Sequence, residues 1–210
     1  MEKSLVIIGA GGHSRVVVDT ATALGLSIHG IIDINYAGQE EKIIGAPIIG
    51  GPDVISSLQL DAHVFAFGIG DNMTRKEHME SLVKLNCEII TLVHPSAIVS
   101  KSEVEIGVGS FINAGSIINA CAKLGKGTII NSGAIVEHEC VLGDFVHIAP
   151  NASIAGRVKI GANSFIGMGS CVIPETEIGS GVVVGANATI TKNLVSNSKV
   201  VGINRQLSND

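Results

Sequence analysis

The sequence lacks tryptophan, and aromatic residues make up only 3% of its 210 positions. A core without large rings must be filled by thin branched side chains, which suits stacked strands better than a helical bundle. The net charge is −5 and lysine and arginine are not clustered, which argues against a nucleic acid partner because phosphate binding requires a basic face. No apolar run reaches the roughly 18 residues of a membrane span, so none is expected.

The four cysteines form no C-x-x-C pair and no compact disulfide framework; they are Cys87, Cys121, Cys140 and Cys171. This pattern is typical of reduced thiols that serve as small apolar side chains. The apolar run near the N terminus ends in glycines, and nothing after it resembles a signal-peptide cleavage site. We therefore expect a cytoplasmic protein.

The first part of the chain, residues 1–93, alternates strand and helix patterns. This alternation predicts a small Rossmann-like domain with a parallel α/β sheet. The predicted strands are SLVIIGA, IHGIID, HVFAFG and CEIITLV. The predicted helices are GHSRVVVDTATALG and DNMTRKEHMESLVKLN.

The second part, residues 94–210, has a period of six. From Ile106 to Ile190 every sixth residue is aliphatic, and the residue four positions later is Ser, Ala, Thr, Cys or Val, with Leu194 as the one large exception. Hexapeptide repeats of this kind predict a parallel β-helix, in which each unit buries one aliphatic residue and turns a corner that admits only a small side chain. The residues between the aliphatic positions are then free to face outward.

Two motifs carry candidate chemistry. In the run VEHECVLGDFVHIAP, His138 lies between Glu137 and Glu139, and His147 follows nine residues later. A histidine between carboxylates is suited to proton transfer near neutral pH. The turn GAGGHS at residues 9–14 joins the first predicted strand to the first predicted helix, where it can cradle a phosphate at the helix N terminus or simply pack helix on strand.

The hexapeptide array, the α/β half, the GAGGH turn and the EHE run together resemble the left-handed β-helix sugar acetyltransferases of the sialic-acid and bacillosamine pathways. The resemblance covers essentially the whole chain. It implies left-handed coils of three hexapeptides, acetyl-CoA as co-substrate, a nucleotide-sugar as acceptor and a homotrimer. The C-terminal VVGINRQ differs from the Gly-x-Pro-Ala ending common in this family.

The resemblance also implies roles for single residues. His138 matches the general base, and Glu139 matches the carboxylate that raises its basicity. The positions that match coenzyme contacts are His147, Gly156, Met168 and Ala186. The positions that match nucleotide-sugar contacts are Gly11, Gly12, His13, Asp33 and Gly70.

The coil period adds a geometric expectation. A coil of roughly 18 residues turns by about 20° per residue, so His138 and His147 should lie on opposite sides of the β-helix. One reaction that uses both would need two neighbouring subunits of a cyclic oligomer. One coil further on, Gly156 should stack over His138 and Arg157 over Glu139, so Glu139 could pair with either His138 or Arg157.

The sequence therefore predicts N-acetylation of a nucleotide-linked aminodeoxy sugar by direct attack on the thioester. A sialic-acid hydroxyl is the alternative acceptor. An NAD-dependent oxidoreductase is another alternative, although GAGGHS has Ser14 where the dinucleotide motif G-x-G-x-x-G ends in glycine. A metal-dependent β-helix enzyme would need three converging histidines, and no metal is expected.

Overall fold

A computed structural model describes residues 3–38 and 41–204, the last two as backbone only. The N-terminal part is a five-stranded sheet with the order β3-β4-β2-β1-β5, parallel except that β3 runs antiparallel to β4. Its strands are β1 (Ser4–Ile8), β2 (Ile28–Ile32), β3 (Lys42–Ile43), β4 (Ala46–Gly50) and β5 (His63–Phe67). Its helices are α1 (Gly12–Ala23), α2 (Asn72–Lys84) and the 3-10 turns Pro52–Ser57 and Leu60–Ala62.

Most of the predicted α/β elements are confirmed. The segments SLVIIGA, IHGIID and HVFAFG form β1, β2 and β5, and both predicted helices are present. The segment CEIITLV is divided, because Ile89 bridges to Phe65 of β5 whereas Leu92–Val93 pairs with the first full coil of the β-helix. Both parts are apolar and extended, so periodicity alone does not reveal the change of partner.

The rest of the described chain is a left-handed parallel β-helix with three faces. Face A contains β6 (Leu92–Val93), β9 (Phe111–Ile112), β12 (Ile129–Ile130), β15 (His147–Ile148), β18 (Phe165–Ile166), β21 (Val183–Val184) and β23 (Lys199–Val200). Face B contains β7 (Ile98–Val99), β10 (Ile117–Ile118), β13 (Ile135–Val136), β16 (Ser153–Ile154), β19 (Cys171–Val172), β22 (Thr189–Ile190) and β24 (Ile203–Asn204). Face C contains β8 (Glu105–Ile106), β11 (Lys123–Leu124), β14 (Val141–Leu142), β17 (Lys159–Ile160) and β20 (Glu177–Ile178).

The aliphatic position of each hexapeptide lies in the interior, as predicted. Ile118, Val136 and Ile154 stack along face B and are fully buried, and each pairs with the residue one coil away. The array starts earlier than the strict period indicates, because one extra residue separates the units that end at Val99 and Ile106. Near the other end Leu194 bridges to Ile178, so this large side chain takes the aliphatic position of a shortened unit.

The corners impose a requirement that the sequence analysis missed. At almost every corner one residue has φ near +60°, a conformation that costs about 1–2 kcal/mol for a residue with a Cβ. Glycine and asparagine, which tolerate this conformation best, occupy most of these positions. The exceptions among the corner residues are Glu103, Cys121, Glu139, Phe145, Arg157 and Glu175, with φ between 54° and 62°.

The α/β sheet and its helices cover part of face A. Phe111 and Ile129 point outward from the β-helix, yet they are buried in one apolar cluster with Val17 and Val18 of α1. The next outward residue along this face is His147, which pairs with Ile129 on one side and Phe165 on the other. Packing of the two parts therefore places His147 beside the loops at the carboxyl ends of β1 and β5.

Candidate active site

The predicted nucleotide-sugar residues line one cavity. It has a volume of about 340 Å³ and opens at the carboxyl ends of β1, β2 and β5. Its lining includes all five predicted positions, namely Gly11, Gly12, His13, Asp33 and Gly70. A Cβ added at Gly11 or Gly12 would meet no atom within 4 Å, so space beside this turn is open to a ligand.

Two helices begin at this edge of the sheet, and they differ in how their first N–H groups are satisfied. Helix α2 is capped by Asp71, whose carboxylate accepts hydrogen bonds from the backbone N–H and the hydroxyl of Thr74, both 2.8 Å long. These bonds lower the pKa of Asp71. Helix α1 begins after Gly11, which has no side chain to cap it, and it has no acidic residue in its first turn. The N terminus of α1 is therefore suited to an anion such as a phosphate.

His147 is buried where face A meets this cavity. Its Nδ1 lies 3.1 Å from the carbonyl oxygen of Gly70, so Nδ1 carries the proton, and Nε2 lies 3.2 Å from the Asn131 side-chain nitrogen and accepts from it. Burial, and then the nearby charge of Arg75, lower the pKa of His147 to about 3. The imidazole is therefore neutral at pH 7. The prediction that His147 faces outward from the β-helix is confirmed, but the α/β part covers it.

His13 lies beside His147, with 6.2 Å between the two ring centroids, and packs edge-on against Phe111. Burial, followed by the charge of Arg75, lowers the pKa of His13 to about 4. Its Nε2 atom is buried and has no hydrogen-bond partner among the described residues. Two neutral imidazoles thus form one wall of the site.

A second cavity of about 670 Å³ adjoins the first. Gly70 and Asp71 line both cavities, and the second extends along face A past His147 and Phe165. A ligand held at the N terminus of α1 can therefore reach His147 through the boundary formed by Gly70 and Asp71.

Arg75 holds this boundary in place, and the sequence analysis did not identify it. The side chain is only 1% exposed, and its guanidinium donates to the carbonyl oxygens of Gly127, 2.8 Å away, and Gly70, 3.1 Å away, and to the Asn72 side-chain oxygen, 2.8 Å away. Further bonds of 3.1–3.3 Å reach the carbonyl oxygens of Ile69, Asp71 and Phe145. Burial lowers the pKa of Arg75 to about 10, so it stays charged at pH 7. Arg75 therefore fixes the Gly70 carbonyl that orients His147.

His138 occupies the corner between faces B and C. Its Nδ1 lies 3.1 Å from Oε2 of Glu139, which leaves Nε2 available to accept a proton. The same oxygen accepts from Nε of Arg157 at 3.2 Å, so Glu139 pairs with both candidate partners. These two hydrogen bonds lower the pKa of Glu139. The predicted stacking of Gly156 is confirmed, since a Cβ on Gly156 would lie 2.5 Å from Cε1 of His138.

The predicted coenzyme positions do not come together in one chain. Met168 and Ala186 lie at successive turns of the corner between faces A and B, where the N–H of the residue after Ala186 donates to the carbonyl of Met168 at 2.8 Å. Gly156 lies with His138 at the corner between faces B and C, which is opposite the face that carries His147. The single chain therefore presents two separated half-sites, as the coil period predicted for the two histidines.

Among residues 3–38 and 41–204, no group of three or more His, Cys, Asp or Glu side chains is arranged to hold a metal ion. In the same ranges, no helix is both long and apolar enough to cross a membrane. Residues 205 and 206 of the VVGINRQ segment, and with them the prediction about the C-terminal tail, lie outside the described residues.

Known proteins also combine an α/β domain with a β-helix of hexapeptide repeats. Residues 4–82 match the family described as the PglD N-terminal domain, and residues 139–173 and 157–192 match the bacterial transferase hexapeptide repeat. The acetyltransferase domain of PglB from Neisseria gonorrhoeae, in complex with acetyl coenzyme A, is 35% identical with a TM-score of 0.90, over 96% of this chain and 97% of that one. PerB from Caulobacter crescentus, in complex with CoA and GDP-perosamine, is 34% identical with a TM-score of 0.89, over 95% and 94%.

A curated relative is the UDP-N-acetylbacillosamine N-acetyltransferase of Bacillus subtilis, 34% identical over 118 residues. That alignment covers 53% of this chain and 52% of the relative, so it spans about half the relative's length. The fold defines a hexapeptide-repeat transferase with an α/β domain at its N-terminal end. The chain belongs to the family of left-handed β-helix sugar acetyltransferases that carry a PglD-type N-terminal domain.

Proposed function

We propose that the protein is an acetyl-CoA-dependent N-acetyltransferase that acts on the amino group of a nucleotide-linked aminodeoxy sugar. The observation that carries this proposal is the pair of cavities that share Gly70 and Asp71. Phosphates bound at the open N terminus of α1 would direct the sugar across this boundary towards His147. The relatives crystallised with acetyl coenzyme A, or with CoA and GDP-perosamine, support the same two substrates.

The complete active site would form between subunits of a homotrimer. His138 and Gly156 lie at one corner, whereas His147, Met168 and Ala186 lie on or beside the opposite face. A cyclic arrangement that sets the first corner against the neighbour's face A joins the two half-sites, and it repeats at every interface. Acetyl-CoA would lie in that groove, along Met168 and Ala186 of one chain and Gly156 of the other.

The reaction would proceed by direct attack. The amine nitrogen forms a bond to the thioester carbonyl carbon, and the C–S bond to CoA then breaks. Nε2 of His138 takes the amine proton, Glu139 stabilises the imidazolium, and the proton passes to the departing thiolate. The backbone N–H of Gly156, beside His138, would donate to the thioester oxygen as negative charge develops there.

The neutral histidines support an amine acceptor. The burial and the Arg75 charge that keep His13 and His147 uncharged also disfavour an ammonium ion in the same cavity. An amine bound there would be held in its nucleophilic, unprotonated form. The cysteines in the described part of the chain are free thiols, namely Cys87, Cys121, Cys140 and Cys171. Because thiols stay reduced in the cytoplasm, the proposal places the enzyme there.

A thiol-release assay with acetyl-CoA tests this function directly. The purified protein is offered UDP- and GDP-linked aminodeoxy sugars, free sialic acid and CMP-sialic acid, with His138→Ala as the control enzyme. We expect the fastest CoA release with one of the aminodeoxy sugars, with an N-acetyl product by mass spectrometry. Faster turnover of sialic acid would show that the acceptor is a hydroxyl group and not an amine. An NAD-dependent absorbance change would contradict the transferase assignment.

A further inference from the structure

Three charged residues, one of them Glu139, form a ladder along the corner between faces B and C. Glu139, Arg157 and Glu175 are separated by one coil each, and we call them the corner ladder. Arg157 donates through Nε to Oε2 of Glu139 at 3.2 Å and through a terminal nitrogen to Oε1 of Glu175 at 2.6 Å. All three have left-handed backbone conformations, with φ of 60°, 60° and 62°. The stacked corners therefore align three long charged side chains in one row.

The ladder reaches His138 through a single atom. Oε2 of Glu139 accepts from both His138 and Arg157, so the guanidinium fixes the carboxylate oxygen that holds Nδ1 of the imidazole. Arg157 also brings a positive charge close to a residue that must become an imidazolium. Glu175 offsets that charge from the other side.

We propose that Arg157 and Glu175 are positioning residues for the acetyl transfer: Arg157 fixes the Glu139 carboxylate against His138, and Glu175 offsets the positive charge that the guanidinium places near the imidazole. This inference rests on the proposed function of His138. It assigns to these two residues a role that is exerted through Glu139. Other titratable side chains along this corner include Glu137, Cys121, the buried thiol of Cys140 and, one coil before Cys121, Glu103.

A purely structural role is the competing explanation, because ion pairs between coils also stabilise a β-helix. The chain offers a matched control on face C. Lys159 and Glu177 are likewise one coil apart, with Nζ 2.9 Å from Oε1, and this pair makes no contact with His138. The two pairs are similarly exposed, with side-chain exposures of 56% and 67% for Arg157 and Glu175, and 64% and 60% for Lys159 and Glu177.

The test is a double-mutant cycle measured by CoA release. Arg157→Gln should lower kcat about 3- to 10-fold with the KM for acetyl-CoA unchanged, and the loss should vanish when Glu139 is already alanine. Arg157→Lys should recover part of the rate, and Lys159→Met should leave it unchanged. An equal loss from Arg157→Gln with and without Glu139, or an equal loss from Lys159→Met, would refute the positioning role.

The pH profile of activity separates the role of Arg157 from that of Glu175. In Glu175→Gln the unbalanced guanidinium opposes the imidazolium, so the acidic limb of kcat/KM should move to lower pH, whereas in Arg157→Gln it should move to higher pH. Unchanged or parallel movements would contradict the inference. If His138→Ala is inactive while Arg157→Gln is fully active, only this inference fails; if His138→Ala is fully active, the proposed function of the base fails as well.

Discussion

Replacing Arg75 by methionine should destabilise the contact between the α/β part and the β-helix, because the Arg75 side chain bonds to both. Arg75 is 1% exposed and makes its shortest bonds, of 2.8 Å, to the Gly127 carbonyl and the Asn72 side chain. Methionine fills similar space but leaves these two acceptors, and the carbonyl oxygen of Ile69, without this donor, whereas the Gly70 carbonyl keeps the N–H of His147. At about 1 kcal/mol or more for each buried acceptor left unsatisfied, we expect a loss of about 3 kcal/mol in the free energy of unfolding.

Denaturant unfolding at fixed protein concentration measures this loss, with Lys84→Met at the exposed end of the same helix as the control. Arg75→Lys should fall between the two, because an ammonium has three donors and lacks the planar fork. The folded fraction of Arg75→Met should also show a lower kcat, since the Gly70 carbonyl that orients His147 is released. A variant as stable as the control would show that the buried guanidinium has no net role in joining the two parts.

Three further predictions concern the histidines and Gly156. His138→Ala should lower kcat by about 10²–10⁴, the usual contribution of a general base, and should leave acetyl-CoA binding intact; near-normal turnover would remove it from the mechanism. His13 and His147 have pKa values of about 4 and 3 when folded, below the ordinary 6.5, so the unfolded chain binds more protons and stability should be lost as pH falls below about 6.5. Each histidine should lower the free energy of unfolding by about 2 kcal/mol between pH 7 and pH 5, as measured by denaturant unfolding. The plot of this free energy against pH should be flatter for His13→Gln than for the wild type; equal slopes would show that His13 is not the buried neutral imidazole described above. Gly156→Ala should leave the melting temperature unchanged but reduce kcat at least ~10-fold, because its Cβ would displace the His138 ring; full activity would show that the ring has room to move.

The β-helix could be predicted in detail because each hexapeptide contributes the same buried residue. The six-residue period did not predict the units before Ile106 and after Ile190, because residues are inserted or lost at the corners there. The left-handed corner conformations also went unnoticed. Glycine and asparagine occur throughout the array, but Glu139 and Arg157 adopt the same conformation without any compositional sign.

The candidate site was predicted unevenly, for reasons that lie in how it is assembled. The glycine turn and Asp33 could be found because they follow predicted strands, and parallel strands bring their carboxyl ends to one edge. The burial of His147 could not be predicted from the sequence, because it depends on packing of the α/β part against face A. Arg75 has no motif at all: it lies within a helix, and its partners, such as Gly127 and Phe145, are distant in sequence.

The proposed mechanism requires each active site to combine His138 of one chain with His147 of its neighbour. The most direct measurement mixes His138→Ala and His147→Ala chains by co-refolding, after sizing has shown that both variants assemble and CoA release has shown that both are inactive. In trimers formed at random from equal amounts of the two variants, about one interface in four pairs an intact His138 with an intact His147, so we expect recovery to about a quarter of wild-type activity. If both histidines served a site within one chain, no mixing ratio would restore any activity.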